Sequence, residues 1–169
     1  VKVTIMENSL MKEIRQQLRD VEADDLWIEE NFEKKLSEVD ATIAFERPIP
    51  ELHSIAELVS HLIEWRREVL SRLKGNPGGL EMSDEANWRT NQELKIRGWE
   101  TLLNDFHETQ QNIIAFLEGK GDDFLYTAYP HASPDFQHNH KYLLAGLIPH
   151  HMYHLGQMGI TVKFLKIRN

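Results

Sequence analysis

Apolar residues recur along this chain in steps of three and four, the period of a helix with one buried face. Residues 8 to 23 carry Leu10, Ile14, Leu18 and Val21 among charges, which predicts a first amphipathic helix. Phe32, Leu36 and Val39 read either as its continuation or as a short separate helix, and Pro48 and Pro50 close that region. Ser54-Ile55-Ala56-Glu57 has the form of a capping box, so a second long helix starts near Ser54. Its stripe is Ile55, Leu58, Leu62, Trp65, Val69 and Leu73, and the loop Gly75-Asn76-Pro77-Gly78-Gly79 ends it. Asp84 to Thr90 form a polar connection that contains Trp88. A second capping box, Thr90-Asn91-Gln92-Glu93, opens a third long helix through Leu94, Trp99, Leu102, Leu103, Phe106, Ile113 and Leu117, which stops by Gly119 and Gly121. After a loop with Pro130 and Pro134, a fourth helix is expected from about Phe136 to Leu165, its core stripe being Leu144, Ile148, His151, Leu155, Met158, Val162 and Leu165. Four such segments without strand alternation predict an all-α protein, a helical bundle.

Composition narrows the chemistry. At 169 residues and 41% hydrophobic, one domain over 1–169 is the expectation. There is no cysteine, which removes disulfides, thiolate ligands and a cysteine nucleophile, so that any thiol chemistry needs a thiol from solution. No apolar run approaches the ~20 residues of a bilayer span, so a cytoplasmic protein without a membrane partner is expected. A net charge of −8 and the lack of a compact basic patch argue against nucleic acid.

Candidate chemistry gathers on the fourth helix, where Leu143, Leu147, His150, His154, Gln157 and Thr161 form a stripe beside the apolar one. His150 and His154, four apart, can point at one object such as a metal ion, and His61 on the second helix stands where a third ligand would be needed. Spacing serves a solvent-facing polar stripe equally well, and His61 taken alone reads first as an edge histidine satisfied by water or a carboxylate. His151 falls on the apolar stripe and is expected to pack there or against a second subunit. His53 and His107 read as surface residues, and His131, His138 and His140 lie in or beside a loop from which they could reach the site from outside. Pro149 removes a helical hydrogen bond and predicts a kink before His150; Gly156 and Gly159 would let a neighbouring helix approach closely.

The string His150-His151-Met152-Tyr153-His154-Leu155-Gly156-Gln157, taken with Ser54-Ile55-Ala56-Glu57-Leu58-Val59-Ser60-His61-Leu62-Ile63-Glu64-Trp65, resembles the DinB-like (YfiT-like) metal-binding superfamily. The resemblance implies a four-helix bundle of up-down-down-up topology. It also implies a divalent metal, often nickel or zinc, on one histidine of the second helix and two of the fourth, here His61, His150 and His154. Some relatives transfer low-molecular-weight thiols such as bacillithiol to electrophiles, others isomerise maleylpyruvate with mycothiol, and many are dimers. The expectation is therefore a metal-dependent thiol S-transferase acting on a small-molecule electrophile, as a homodimer, with Trp65 and Tyr153 as pocket walls and Gln157 orienting a ligand or water. The alternatives are a metal-dependent hydrolase, for which Glu57 and Glu64 are the nearby carboxylates, and a non-catalytic metal-binding stress-response dimer. Because ligation needs neutral imidazoles, metal affinity is expected to fall below about pH 6.5.

Overall fold

The computed structural model describes residues 9–131, 135 and 137–168. Among them it is all-helical: α1 (Ser9–Glu22), α2 (Phe32–Leu36), α3 (Ile55–Leu73), α4 (Asn91–Arg97), α5 (Trp99–Leu117), α6 (Asp122–Leu125) and α7 (His140–Arg168). The expected first position of the first helix, residue 8, the loop residue Pro134 and the expected start of the fourth helix, Phe136, lie outside the described residues; residues 137–139 are not helical, so the fourth long helix begins later than expected, at His140.

The helix starts follow from the side chains that satisfy their free N–H groups. At α3 both halves of the capping box form, Glu57 N–H donating to Ser54 Oγ at 3.1 Å and Ser54 N–H to Glu57 Oε2 at 2.8 Å. Thr90 and Glu93 do the same for α4. The start of α1 is capped from a distance, because the amides of Leu10 and Met11 donate to the Asp122 carboxylate. Asn31 caps α2, accepting from Lys34 N–H at 2.8 Å, so Phe32 and Leu36 belong to a separate short helix rather than to a continued α1.

Two expectations need correction. Leu10 stands at the margin of α1, and Met11 takes the core position beside Ile14, Leu18 and Val21. The segment after Thr90 is two helices, because Gly98 adopts φ +85°, a left-handed conformation that interrupts the α-helical ladder between α4 and α5.

The longer helices α1, α3, α5 and α7 pack in a ring in which α3 touches α5 and α7, and α1 touches the same two. Val69 and Leu73 at the end of α3 share an apolar cluster with Met11 and Ile14 from the start of α1, with Ile113 and Leu117 from the end of α5, and with Leu144 and Leu147 from the start of α7. A second cluster joins Ile55 to Ile63 of early α3, Trp99 to Phe106 of early α5, and Leu155 to Val162 of late α7. Thus α3 and α5 run one way and α1 and α7 the other, which is compatible with an up-down-down-up order.

Between the two clusters lies a polar layer. Arg66, 0% exposed, donates from Nη1 to the Phe106 carbonyl at 2.7 Å, from Nη2 to Glu22 Oε2 at 2.9 Å, and from Nε to His151 Nε2 at 3.1 Å. Its guanidinium also covers the Phe106 ring. Nearby, Gln110 donates to the Leu18 carbonyl, and His107 meets Glu22 Oε1 at 2.7 Å. His151 therefore packs inside the chain as the apolar stripe implied, while His107 is tied to a carboxylate rather than free on the surface. No described helix is long and apolar enough to cross a membrane.

Candidate metal centre

Steps of four on a helix turn about 40° past a full circle, so His61 and Trp65 of α3 share a face, as do His150 and His154 of α7. The packing of α3 on α7 brings these two faces together. His150 Nε2 lies 3.1 Å from His61 Nε2 and 3.0 Å from His154 Nε2, and ligand atoms of all three residues lie within 4.8 Å of one another. His61 and His154 are 3% and 4% exposed; His150 is half-buried and borders a cleft of ≈ 810 Å³ between the helices.

Hydrogen bonds on the far side of the rings decide what the near side offers. His61 Nδ1 faces the Asn87 carbonyl at 3.1 Å, and His154 Nδ1 faces Gln157 Oε1 at 2.6 Å. Both oxygens are acceptors, so both neutral rings carry their proton on Nδ1 and turn an Nε2 lone pair toward His150. His150 can donate one Nε2 proton to one of them. The cluster therefore holds more acceptors than protons. Protonation cannot readily correct this: burial first, then the neighbouring His154, lowers the pKa of His61 to about 4. Burial, with His154 and His61 beside it, lowers that of His150 to about 3. Burial lowers His154 as well, against the opposing pull of Gln157. A lone-pair-rich, proton-poor trio suits a cation, and separations near 3 Å match neighbouring nitrogens about 2.0–2.1 Å from one ion.

The expected pocket residues meet at this cleft. Trp65 and Tyr153 line it, their rings 6.3 Å from His61 and 5.0 Å from His154 respectively, and Gln157 both lines it and bonds His154. Other expected participants are elsewhere. Glu57 is held by Arg47, with Nη2 at 2.6 Å, and by the α3 cap; Glu64 pairs with Arg67 and Arg89. His140 bonds the Phe124 carbonyl and stacks on that ring, and His138 stacks on Tyr142. Nor do Gly156 and Gly159 admit a neighbour among the described residues, none of which lies within 4 Å of a Cβ built at either.

Sequence reasoning missed the polar connection. Trp88 stacks on His61 with centroids 4.1 Å apart and on His53 at 3.9 Å, making a three-ring sandwich. Asn87, 0% exposed, accepts from Trp65 Nε1 at 2.8 Å through Oδ1 while its carbonyl holds His61. A tryptophan standing alone in a polar connection was the available signal.

Comparison with known proteins adds the family. Residues 11–158 match the model described as the DinB superfamily. Among solved structures, the chain is similar to the conserved protein of locus from Enterococcus faecalis, with 16% identity and a TM-score of 0.63 over 92% of this chain and 94% of that one. It is also similar to the colibactin self-resistance protein ClbS in complex with a dsDNA, with 21% identity and a TM-score of 0.54 over 88% of this chain and 89% of that one. No curated protein matches it in sequence. The ClbS complex overturns the exclusion of nucleic acid as a partner, because a protein of this fold has been solved with a DNA duplex. Net charge sums over a whole surface, whereas phosphate contact depends on where individual cations stand. With a match over most of its length and the histidine cluster in place, the chain belongs to the DinB superfamily.

Proposed function

We propose that His61, His150 and His154 hold one divalent transition metal ion through Nε2, nickel or zinc by resemblance to the family, and that the site activates a low-molecular-weight thiol toward a small electrophile. The observation that carries this reading is the trio of converging lone pairs at the edge of an open cleft. When bound, such an ion supplies Lewis acidity, which lowers the pKa of a thiol at neutral pH. The rest is done by the chain's own residues. Asn87 and Gln157 fix the Nδ1 tautomers of two ligands, and Trp65, Trp88 and Tyr153 give the reacting groups an apolar, partly dry wall.

Thiol transfer is favoured over hydrolysis because hydrolysis needs a base for water, and both carboxylates near His61 in sequence are engaged in ion pairs away from the cluster. The test is turnover. The metal-loaded chain with bacillithiol or another cellular thiol and a chloro-aromatic electrophile should exceed the His61→Ala variant by orders of magnitude; equal rates sink the reading. Ester or amide cleavage indifferent to added thiol would replace it with hydrolysis. A metal held in a filled coordination shell with no exchangeable position would make the site structural. Because the ClbS neighbour is solved with dsDNA, the same preparation belongs in a duplex-binding titration at low and high salt.

A further inference from the structure

On α3, His61, Trp65, Glu68 and Arg72 follow at steps of four, three and four, so they form one row, and all of them line the cleft. The histidines stand at one end of that row. Arg72 stands at the other, about 16 Å along the axis at the helical rise of ~1.5 Å per residue. Among the described residues it is the only lysine or arginine lining the cleft.

Arg72 is held from behind. Its side chain is 14% exposed, and Nε donates to Glu68 Oε1 at 2.7 Å. The same carboxylate accepts the Gly79 N–H at 3.0 and 3.2 Å. Gly78, at φ +77°, passes so close that a Cβ there would stand 2.3 Å from Glu68 Oε1 and 2.5 Å from Arg72 Nε. The loop after α3 thus clamps the inner edge of the guanidinium and occupies Glu68. Among the described residues, neither terminal nitrogen of Arg72 has a hydrogen-bond or ion-pair partner, and the Tyr129 ring flanks the group at 6.0 Å. Between Arg72 and the histidines the cleft wall is apolar, with Trp65, Val69, Leu143 and Leu147.

We propose that Arg72 is the anion-recognition residue of this cleft, and that the ligand is an elongated molecule carrying a carboxylate or similar anion at Arg72 and an apolar or aromatic body along the wall. Two free N–H edges in a fixed fork match a carboxylate, and the volume suits a ligand of drug size. The inference deepens the metal-site reading and rests on it only for which end of the ligand reacts.

Indole-3-butyrate and indole-3-butyramide have one shape and differ in charge, so calorimetric titration of the full chain with each isolates the anion. The titrations are run on metal-stripped protein, because a carboxylate also binds a metal ion, and repeated on loaded protein. The carboxylate should bind at least about tenfold more tightly than the amide. Arg72→Gln should bring that ratio to near one while leaving metal content and amide affinity unchanged, and Arg72→Lys should keep part of the preference. No preference in the unmodified, metal-stripped chain overturns the assignment, whatever the variants do; so does a preference that survives in Arg72→Gln, which would leave Arg72 as an anchor for the Gly78–Gly79 loop. His150→Ala separates the two readings: metal retained in that variant defeats the metal site and leaves the Arg72 test standing.

Discussion

An oxygen acceptor stands at Nδ1 of His61 and another at Nδ1 of His154, and these two contacts decide where the protons sit. Removing one should loosen metal binding without removing a ligand. Gln157→Ala is expected to weaken metal affinity about 10–100-fold in competition with a chelator, whereas His61→Ala, His150→Ala and His154→Ala should each abolish stoichiometric metal by elemental analysis. At this scale periodicity put His150 and His154 on one face and His61 at the edge of a buried stripe, and the family resemblance, not spacing, joined the three. Asn87, Trp88 and His53 were not legible, since no periodicity governs the path of an irregular connection. In the polar layer, Glu22→Ala leaves the buried Arg66 charge without its carboxylate and should cost about 3–5 kcal/mol in urea unfolding.

Elements were the most legible level. Both capping boxes lie where the hydroxyl and carboxylate spacing put them, and the irregular positions trace to single residues. Gly98 divides what periodicity read as one helix, because a repeat of apolar residues carries through a φ reversal that it cannot register. Helix α7 runs on through Pro149, which has no N–H to donate to the Ala145 carbonyl; both Ala145 and the neighbouring Gly146 line the cleft. Gly156 and Gly159 were misjudged because the sequence does not say which side of a helix its neighbours take. They face open space, so Gly156→Ala or Gly159→Ala should stabilise the chain by about 0.5–1 kcal/mol, read as a raised urea midpoint at constant slope.

Across the whole molecule, buried neutral histidines couple stability to acid. His61 and His150 have folded pKa values lowered to about 4 and about 3, below the unfolded value near 6.5, so the unfolded chain binds more protons between those limits. Stability of the metal-free protein should therefore fall as pH drops from about 6.5 toward 4. His107, raised chiefly by its bond to Glu22, works oppositely: its contribution is present below 6.5 and fades as pH rises through the raised value. Metal affinity should consequently survive to lower pH than an ordinary imidazole permits, holding at pH 5.5 and failing near pH 4 in a chelator titration. A decline centred on 6.5 would contradict the lowered values.

The layer of Arg66, Glu22, His151 and Gln110 also acts along the bundle axis, where apolar packing is forgiving. If α7 slid one turn, ~5.4 Å, past α3, leucines would meet other leucines, but the guanidinium would lose its imidazole and face hydrocarbon. The layer is thus a vernier for the bundle. Because His151 adjoins His150 on the chain, whatever indexes the one indexes the other, and the histidine cluster draws its axial alignment from residues that stand outside it.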